Sequence, residues 1–303
     1  MNGQPPRTRR VRRRVDGVLL LDKPSGLSSN AALQRARRAF DAEKAGHTGT
    51  LDPLASGLLP LCFGEATKFA QFLLDATKRY TATVRFGVTT TTGDAEGEVL
   101  EMRPVTLARS DVEAVLPDFT GRLSQVPPAH SALKFEGRSH YEYARAGIDV
   151  PRLPRDIEIL ELSLLAWNAP DAVVDVTCSK GTYIRVLAED IGRALGCGAH
   201  LAGLRRTATG GFGIADAVAL ERLEAMDAAE RDAMLLPAAT LLRDLPSLRL
   251  SGPEAVRFRQ GGAVLASGSA DGACAVFEGC VLLGVADVAA AVAQPRRVVA
   301  AIP

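Results

Sequence analysis

The spacing of apolar residues changes period several times along the chain, and each change predicts an element. From Asn30 to Phe40 and from Ala66 to Ala76 the spacing is helical. Tyr80, Ala82, Val84 and Phe86 then alternate with Thr81, Thr83, Arg85 and Gly87, which predicts a strand that ends in the threonine run Thr89 to Thr92. Short helices are expected at Asp111 to Leu116 and Tyr141 to Ala146, on either side of Pro127-Pro128. Ile157 to Trp167 and Ala172 to Cys178 read as strands separated by the turn cluster Asn168-Ala169-Pro170-Asp171. A helix follows from Tyr183 to Leu195, closed by Gly196. Helices and strands are mixed without a regular βαβ alternation, so the pattern predicts an α+β fold and not a doubly wound sheet.

Leu220 to Leu242 is largely helical in spacing, with Pro237 as the expected break. After Asp244-Leu245-Pro246 the texture changes. Five short apolar segments (Leu248 to Leu250, Ala263 to Ala266, Ala273 to Phe277, Val281 to Val288, Val298 to Ile302) are separated by Gly-rich turns, with one helix at Pro253 to Arg259. This predicts a small β-barrel, with a domain boundary near Pro246. A length of 303 residues suits two domains and a core large enough to fold without staples.

Composition narrows the function classes. With 47% hydrophobic and 23% charged residues the chain is typical of a globular protein, and its longest apolar stretch, Val281 to Ala293, is interrupted by Asp287. A membrane helix needs about 18 uncharged residues, so no membrane association is expected. The net charge of +1 conceals six arginines within the first fourteen residues, and without them the body is mildly acidic. Residues 1–14 therefore read as a disordered basic arm. Val18 to Leu21 supplies only four apolar residues after that arm, too few for a signal peptide, so a cytoplasmic location is expected. Five cysteines, none in a C-x-x-C pair, read as reduced thiols. Four histidines show neither H-E-x-x-H nor zinc spacing, so no metal site is expected.

The densest unusual segment is Gly46-His47-Thr48-Gly49-Thr50-Leu51-Asp52-Pro53-Leu54-Ala55-Ser56-Gly57, a Gly-rich loop with one carboxylate in its middle. On spacing alone, Asp52 would cap a helix that starts at Pro53. No Lys-Ser/Thr follows the glycines, so it is not a phosphate loop, and no G-x-S-x-G hydrolase elbow occurs anywhere.

Read with its neighbours, this segment takes another meaning. Lys23-Pro24-Ser25-Gly26-Leu27-Ser28-Ser29, the Gly46 to Pro60 block, Lys78-Arg79-Tyr80, Phe86-Gly87 with Thr92 and Asp94, Cys178-Ser179-Lys180-Gly181-Thr182-Tyr183-Ile184-Arg185 and Leu204-Arg205-Arg206 resemble, in that order, the bacterial tRNA pseudouridine synthases of the TruB type. That family isomerises uridine-55 of the tRNA T-loop. The resemblance covers residues 15–215 strongly. It implies a pseudouridine synthase fold with a mixed, largely antiparallel sheet over residues 15–245. A looser resemblance, through Leu248-x-Leu250-Ser251, Gly261-Gly262, Leu283-Gly284-Val285-Ala286 and Pro295-Arg296-Arg297, implies a small PUA-like RNA-binding barrel over residues 246–303.

The same resemblance implies roles. Asp52 matches the essential aspartate and Arg185 the arginine that pairs with it. Lys23 and Pro24 match a pair that supports the catalytic loop from behind. Tyr80 matches the tyrosine that stacks on the flipped base, His47 the histidine that inserts where the base was, and Tyr183 and Leu204 residues that line the uracil pocket. The block Gln125 to Lys134 departs at His130, where relatives commonly carry tyrosine. No cofactor is implied. The implied partner is the tRNA T-stem-loop, met by a monomer without an obligatory protein partner. Two other readings use the same fold: a guide-RNA-directed synthase of the dyskerin type, and a non-catalytic RNA-binding or tRNA-folding chaperone. Asp52, Tyr80 and Arg185 occurring together favour catalysis, because binding an anionic RNA does not need a carboxylate in the cleft.

Overall fold

The computed structural model describes residues 12–131 and 133–300. Its frame is a ten-stranded mixed sheet. The main path runs Val218–Ala219, Gly17–Lys23, Ser56–Phe63, Ala199–Thr209, Lys78–Phe86, Asp171–Cys178, Arg155–Asn168 and Gly121–Gln125. Ala45–His47 pairs with Ser56–Phe63, and Phe212–Gly213 pairs with Ala199–Thr209. Only two of these pairings are parallel, Val218–Ala219 on Gly17–Lys23 and Ala199–Thr209 on Ser56–Phe63. The α+β class with a largely antiparallel mixed sheet is therefore the one the chain adopts.

Amphipathic elements fall where their period placed them. In Lys78–Phe86 the residues Tyr80, Ala82, Val84 and Phe86 are buried in alternation. The helix Ser29–Ala39 buries Ala32, Leu33 and Ala36, and Ser28 caps it by accepting from the Ala31 N–H. Asn168 faces Asp171 in the hairpin between the two longer strands. By contrast, Gly17–Lys23 and Ser56–Phe63 are almost continuously buried. One face of this pair, with Leu19, Leu21, Leu59 and Leu61, belongs to the main core, and the other, with Val18, Leu20, Leu58 and Cys62, belongs to a second core behind the sheet. A strand buried on both faces has no polar face to reveal a period of two.

Several expectations need correction. The Ala66 to Ala76 helix is a 3₁₀ turn, Gly64–Phe69, followed by the short helix Ala70–Leu74. Leu220 to Leu242 first breaks at Met226, ahead of Pro237, into Leu220–Ala225 and Ala228–Ala233. Asp227 starts the second piece through a capping box: its carboxylate accepts from the Glu230 N–H at 2.9 Å, and Glu230 accepts from the Asp227 N–H at 2.9 Å. The last strand is Val292–Val298, not Val298 to Ile302, whose final two residues lie outside the described ones. Its polar Pro295-Arg296-Arg297 stretch hid it from a search for apolar runs. Residues 1–11 of the basic arm also lie outside the described residues, but Arg13 is built into the body. Its N–H donates to the Asp41 carbonyl at 2.9 Å, its carbonyl accepts from the Glu43 N–H at 3.0 Å, and its guanidinium pairs with Asp232.

From Ser247 onward the chain forms a second, five-stranded sheet in the order Ser247–Leu250, Gly272–Glu278, Val281–Ala289, Val292–Val298, Val264–Leu265. It curls with the helix Gly252–Arg259 around a core that includes Leu250, Phe258, Val276 and Leu283. Its opposite face, through Ala275, Val285, Phe277 and Leu282, joins the second core behind the large sheet. Polar ties reinforce this contact: Lys68 donates to the Val298 carbonyl at 2.8 Å, and Glu65 accepts from the Ala300 N–H at 2.6 Å.

Candidate active site

The Gly-rich loop connects Ala45–His47 to Ser56–Phe63. No helix begins at Pro53; the Ala55 N–H closes a turn on the Asp52 carbonyl at 3.1 Å and the chain enters the strand. The helix-capping expectation fails because the loop is held from behind by tertiary hydrogen bonds. The Ser29 hydroxyl donates to the Leu51 carbonyl at 2.9 Å, and its oxygen accepts from the Leu51 N–H at 2.7 Å. The Gly26 N–H donates to the Pro53 carbonyl at 2.8 Å, and the Ser25 hydroxyl to the Leu54 carbonyl at 3.0 Å. With Leu51 buried in the core, the next side chain, Asp52, stands in the open with 43% of its surface accessible.

Arg185, in the first turn of the helix Ile184–Ala194, meets Asp52 at 3.1 Å and is only 6% exposed. Its Nη2 also donates to the His130 carbonyl at 2.7 Å, and its Nη1 to the Thr92 carbonyl at 3.1 Å. A second carboxylate, buried Asp94, lies 3.5 Å from Nη1. Asp94 is itself fixed, accepting from the Thr92 hydroxyl at 2.5 Å and from the Glu96 N–H at 3.1 Å. One guanidinium thus sits between two carboxylates and two carbonyls, an arrangement that holds Asp52 by a charge-assisted contact.

Asp52, Arg185, Tyr80, Tyr183 and Leu204 share one cavity of about 380 Å³. Leu51, Leu74, Leu133 and Ile184 add apolar surface to its wall. Burial pushes the Tyr80 phenol above its ordinary pKa, against the opposing pull of Arg206, and burial does the same to Tyr183. Both therefore present neutral rings at neutral pH. Gln125 holds Tyr183 in place, accepting from its N–H at 2.8 Å and donating to its carbonyl at 3.1 Å. A second cavity, about 890 Å³, is lined by residues that include Thr92, Gln125, His130 and Glu189, and none of Asp52, Tyr80 or Tyr183 lines it.

The remaining expected residues stand away from the cavity. Lys23 is fully buried behind the loop, where its ammonium donates to the carbonyls of Pro24 at 2.9 Å and Leu27 at 2.6 Å. Burial brings its pKa down to about 8, against the upward pull of Asp52. His47 lies half-buried on the short strand Ala45–His47, outside the cavity wall, and burial followed by Arg206 lowers its pKa. The His130 ring is taken up by an edge contact with Tyr141, centroids 5.9 Å apart.

Four residues of the site carry no role that the sequence assigns. Gln125 and Asp94 act through contacts that no local pattern encodes. Lys78 and Arg206 did leave a signal, a cation on an inward-facing strand position. Lys78 shares its parity with Tyr80, and Arg206 with Leu204. Both line the cavity. Lys78 donates to the Leu74 and Ala76 carbonyls, each at 2.6 Å, and burial brings its pKa down to about 8.

Residues 37–184 match the family model described as the TruB family pseudouridylate synthase N-terminal domain, and residues 185–243 match the tRNA pseudouridylate synthase B C-terminal domain. The junction falls at the start of the helix that carries Arg185, within one continuous sheet. A protein of Thiobacillus denitrificans named tRNA pseudouridine synthase B is 54% identical, covering 96% of this chain and 98% of that one. One of Burkholderia lata with the same name is 56% identical, covering 97% of this chain and 93% of that one. Among solved structures, a chain of a Cbf5-Nop10-Gar1 complex superposes with a TM-score of 0.72 at 24% identity, covering 93% of this chain and 84% of that one, and shares the fold. With near-complete coverage at this identity, and with the Gly-rich loop delivering its carboxylate to a buried arginine, the chain belongs to the TruB family of pseudouridylate synthases.

Proposed function

We propose that this protein isomerises uridine-55 in the T-loop of tRNA to pseudouridine, with Asp52 as the catalytic carboxylate. The observation that carries the reading is Asp52 itself, accessible and paired at 3.1 Å with a nearly inaccessible Arg185, in a cavity walled by Tyr80, Tyr183 and Leu204. Isomerisation requires the bond between the sugar and N1 to break, the ring to turn, and a bond to C5 to form. The overall change is redox-neutral, so the reaction calls for no cofactor.

Flipping the uridine out of a folded loop costs roughly a few kcal/mol. Stacking on Tyr80 offsets part of that, at roughly 1–3 kcal/mol per base. Apolar walls let a detached neutral or weakly charged ring turn without losing fixed hydrogen bonds, while Asp52, held by Arg185, keeps its carboxylate at the sugar. Arg185 is held in turn by Asp94 and the Thr92 and His130 carbonyls, so the pair is preorganised. Lys23 and Pro24 support the loop from behind, and His47 is the residue offered to the space that the flipped base vacates.

In this proposal residues 15–245 are the catalytic domain, and residues 246–303 are a PUA-like module that adds RNA contact. That module carries five arginines against four acids from Ser247 on, so its electrostatic share is modest. The enzyme acts as a monomer in the cytoplasm without a protein partner. Among the described residues no helix is long and apolar enough to cross a membrane.

The test is tritium release from a T-stem-loop transcript labelled at uracil C5. The wild-type protein should release tritium, and Asp52→Asn should release none while its RNA affinity stays within about tenfold, or about 1.4 kcal/mol, because only the charge is lost. Turnover by a clean Asp52→Asn preparation would remove Asp52 from its role. RNA binding without turnover by the wild type would favour the chaperone reading.

A further inference from the structure

Arg206 is a buried cation whose position calls for an anion. It is 1% exposed, on the strand Ala199–Thr209, and reaches the cavity wall beside Tyr80. Its Nε donates to the Leu58 carbonyl at 2.7 Å and its Nη2 to the Gly49 carbonyl at 3.3 Å. A further N–H is directed at the Tyr80 phenol oxygen, so these contacts engage three of the five N–H groups of a guanidinium, all of them with neutral acceptors. Among the described residues no carboxylate pairs with it, whereas Arg185, the other buried arginine, has both Asp52 and Asp94.

A buried charge without a counter-charge costs several kcal/mol unless its surroundings compensate. Lysines in that position relieve the cost by releasing a proton, and Lys23 and Lys78, each brought down to about 8, stand ready to do so. An arginine cannot. Burial is the largest cause of the lowered pKa at Lys23, His47 and Lys78, and the Arg206 charge lowers all three further. The Arg206 charge thus acts on all three groups from the wall of the cavity.

We propose that Arg206 is the counter-charge for the base in its detached state. The inference rests on the isomerase reading of the same cavity. When the N1–C1′ bond breaks heterolytically, its electron pair stays on the ring, which then carries one negative charge spread over its nitrogens and carbonyl oxygens. After the ring turns, an electron pair at C5 closes the C5–C1′ bond, C5 loses its proton and N1 gains one, so atoms and charge balance. A preorganised cation is worth most where charge develops in a site shielded from water. A ring stacked on Tyr80 brings its oxygens to the wall that Arg206 forms.

The experiment compares the wild type with Arg206→Gln and Arg206→Lys on two T-stem-loop RNAs, one with uridine at the target and one with 5-fluorouridine. The fluorinated ring is more acidic and needs less help to leave as an anion. Single-turnover loss of the parent nucleoside, RNA affinity and thermal midpoint are measured together. Both variants should bind RNA within about threefold of the wild type. Arg206→Gln should convert the uridine RNA about 100-fold more slowly, the scale of losing one preorganised donor. Its deficit on the fluorinated RNA should be roughly ten times smaller. Arg206→Lys should be intermediate with the same bias, and it carries the test alone if the glutamine variant does not fold. Equal deficits on the two RNAs would reduce Arg206 to a scaffold for Gly49 and Leu58. Weakened RNA binding with an unchanged rate would make it a phosphate contact. Either result overturns the proposal. A wild type that leaves the uridine RNA unconverted would instead overturn the isomerase reading.

Discussion

Arg185 divides its guanidinium among Asp52, Asp94 and the carbonyls of Thr92 and His130, and that division requires two separated prongs. An ammonium is a compact point charge and cannot reach all four. Arg185→Lys should therefore lower single-turnover isomerisation by about 100-fold or more, with RNA affinity little changed; a rate near wild type would show that Asp52 does not depend on this geometry. Lys23 allows a prediction on stability. Folding lowers its pKa from 10.5 to about 8. Between those values the folded protein binds fewer protons than the unfolded chain, so this residue makes stability rise with pH across that window and adds no pH dependence below it. The unfolding free energy of the wild type relative to Lys23→Met should thus shift in favour of the wild type by about 2 kcal/mol between about pH 7.5 and 10, as read from denaturant curves. Taking the difference cancels thiols such as Cys62, pushed up to about 12 by burial, whose effect has the opposite sign. A flat difference would mean that Lys23 keeps its ordinary pKa.

The strand Ser56–Phe63 carries the catalytic loop into the sheet, and its entry depends on one glycine. Gly57 has φ +101°, and a Cβ there would lie 2.3 Å from the Arg206 carbonyl oxygen. Neither backbone can yield, because Gly57 and Arg206 are register partners in the parallel pairing. Gly57→Ala should cost several kcal/mol, placing it among the large single-site effects, and should lower the denaturant midpoint sharply. A loss under about 1 kcal/mol would show that the pairing has slack. At this scale the legibility of the chain follows burial. Elements with one wet face, such as Ser29–Ala39 and Lys78–Phe86, announce themselves by period. Gly17–Lys23 and Ser56–Phe63 do not, because two cores claim their two faces. The break at Asp227 was readable as Asp-x-x-Glu, yet the stronger breaker Pro237 drew the expectation.

The large and small sheets share a core behind the large sheet, where Ala275 and Val285 of the small sheet cluster with Val18 and Leu20 of the large one and with Phe69 of the 3₁₀ turn and Leu73 of the short helix. A chain that stops at Pro246 would leave this surface open to water. It should melt at least roughly 5 °C below the full-length protein and bind a hydrophobic dye that the full-length protein excludes. Unchanged melting and no dye binding would show that the small sheet is only tethered.

The sequence by itself determined the fold class, the helices and strands with one polar face, and, through the spaced blocks around Asp52, Tyr80 and Arg185, the family and the outline of its site. Those are properties of residues close together in the chain or of motifs that a family repeats. Tertiary structure decided the rest. It turned Asp52 from a plausible helix cap into an open carboxylate, because Ser29 and Gly26 hold the loop from 20 or more positions away. It put Asp94 on Arg185 and Gln125 on Tyr183, and among the described residues it left Arg206 without a carboxylate at the cavity wall. Each depends on segments that meet in space but lie far apart in sequence, and no local period carries the position of a charge across that distance.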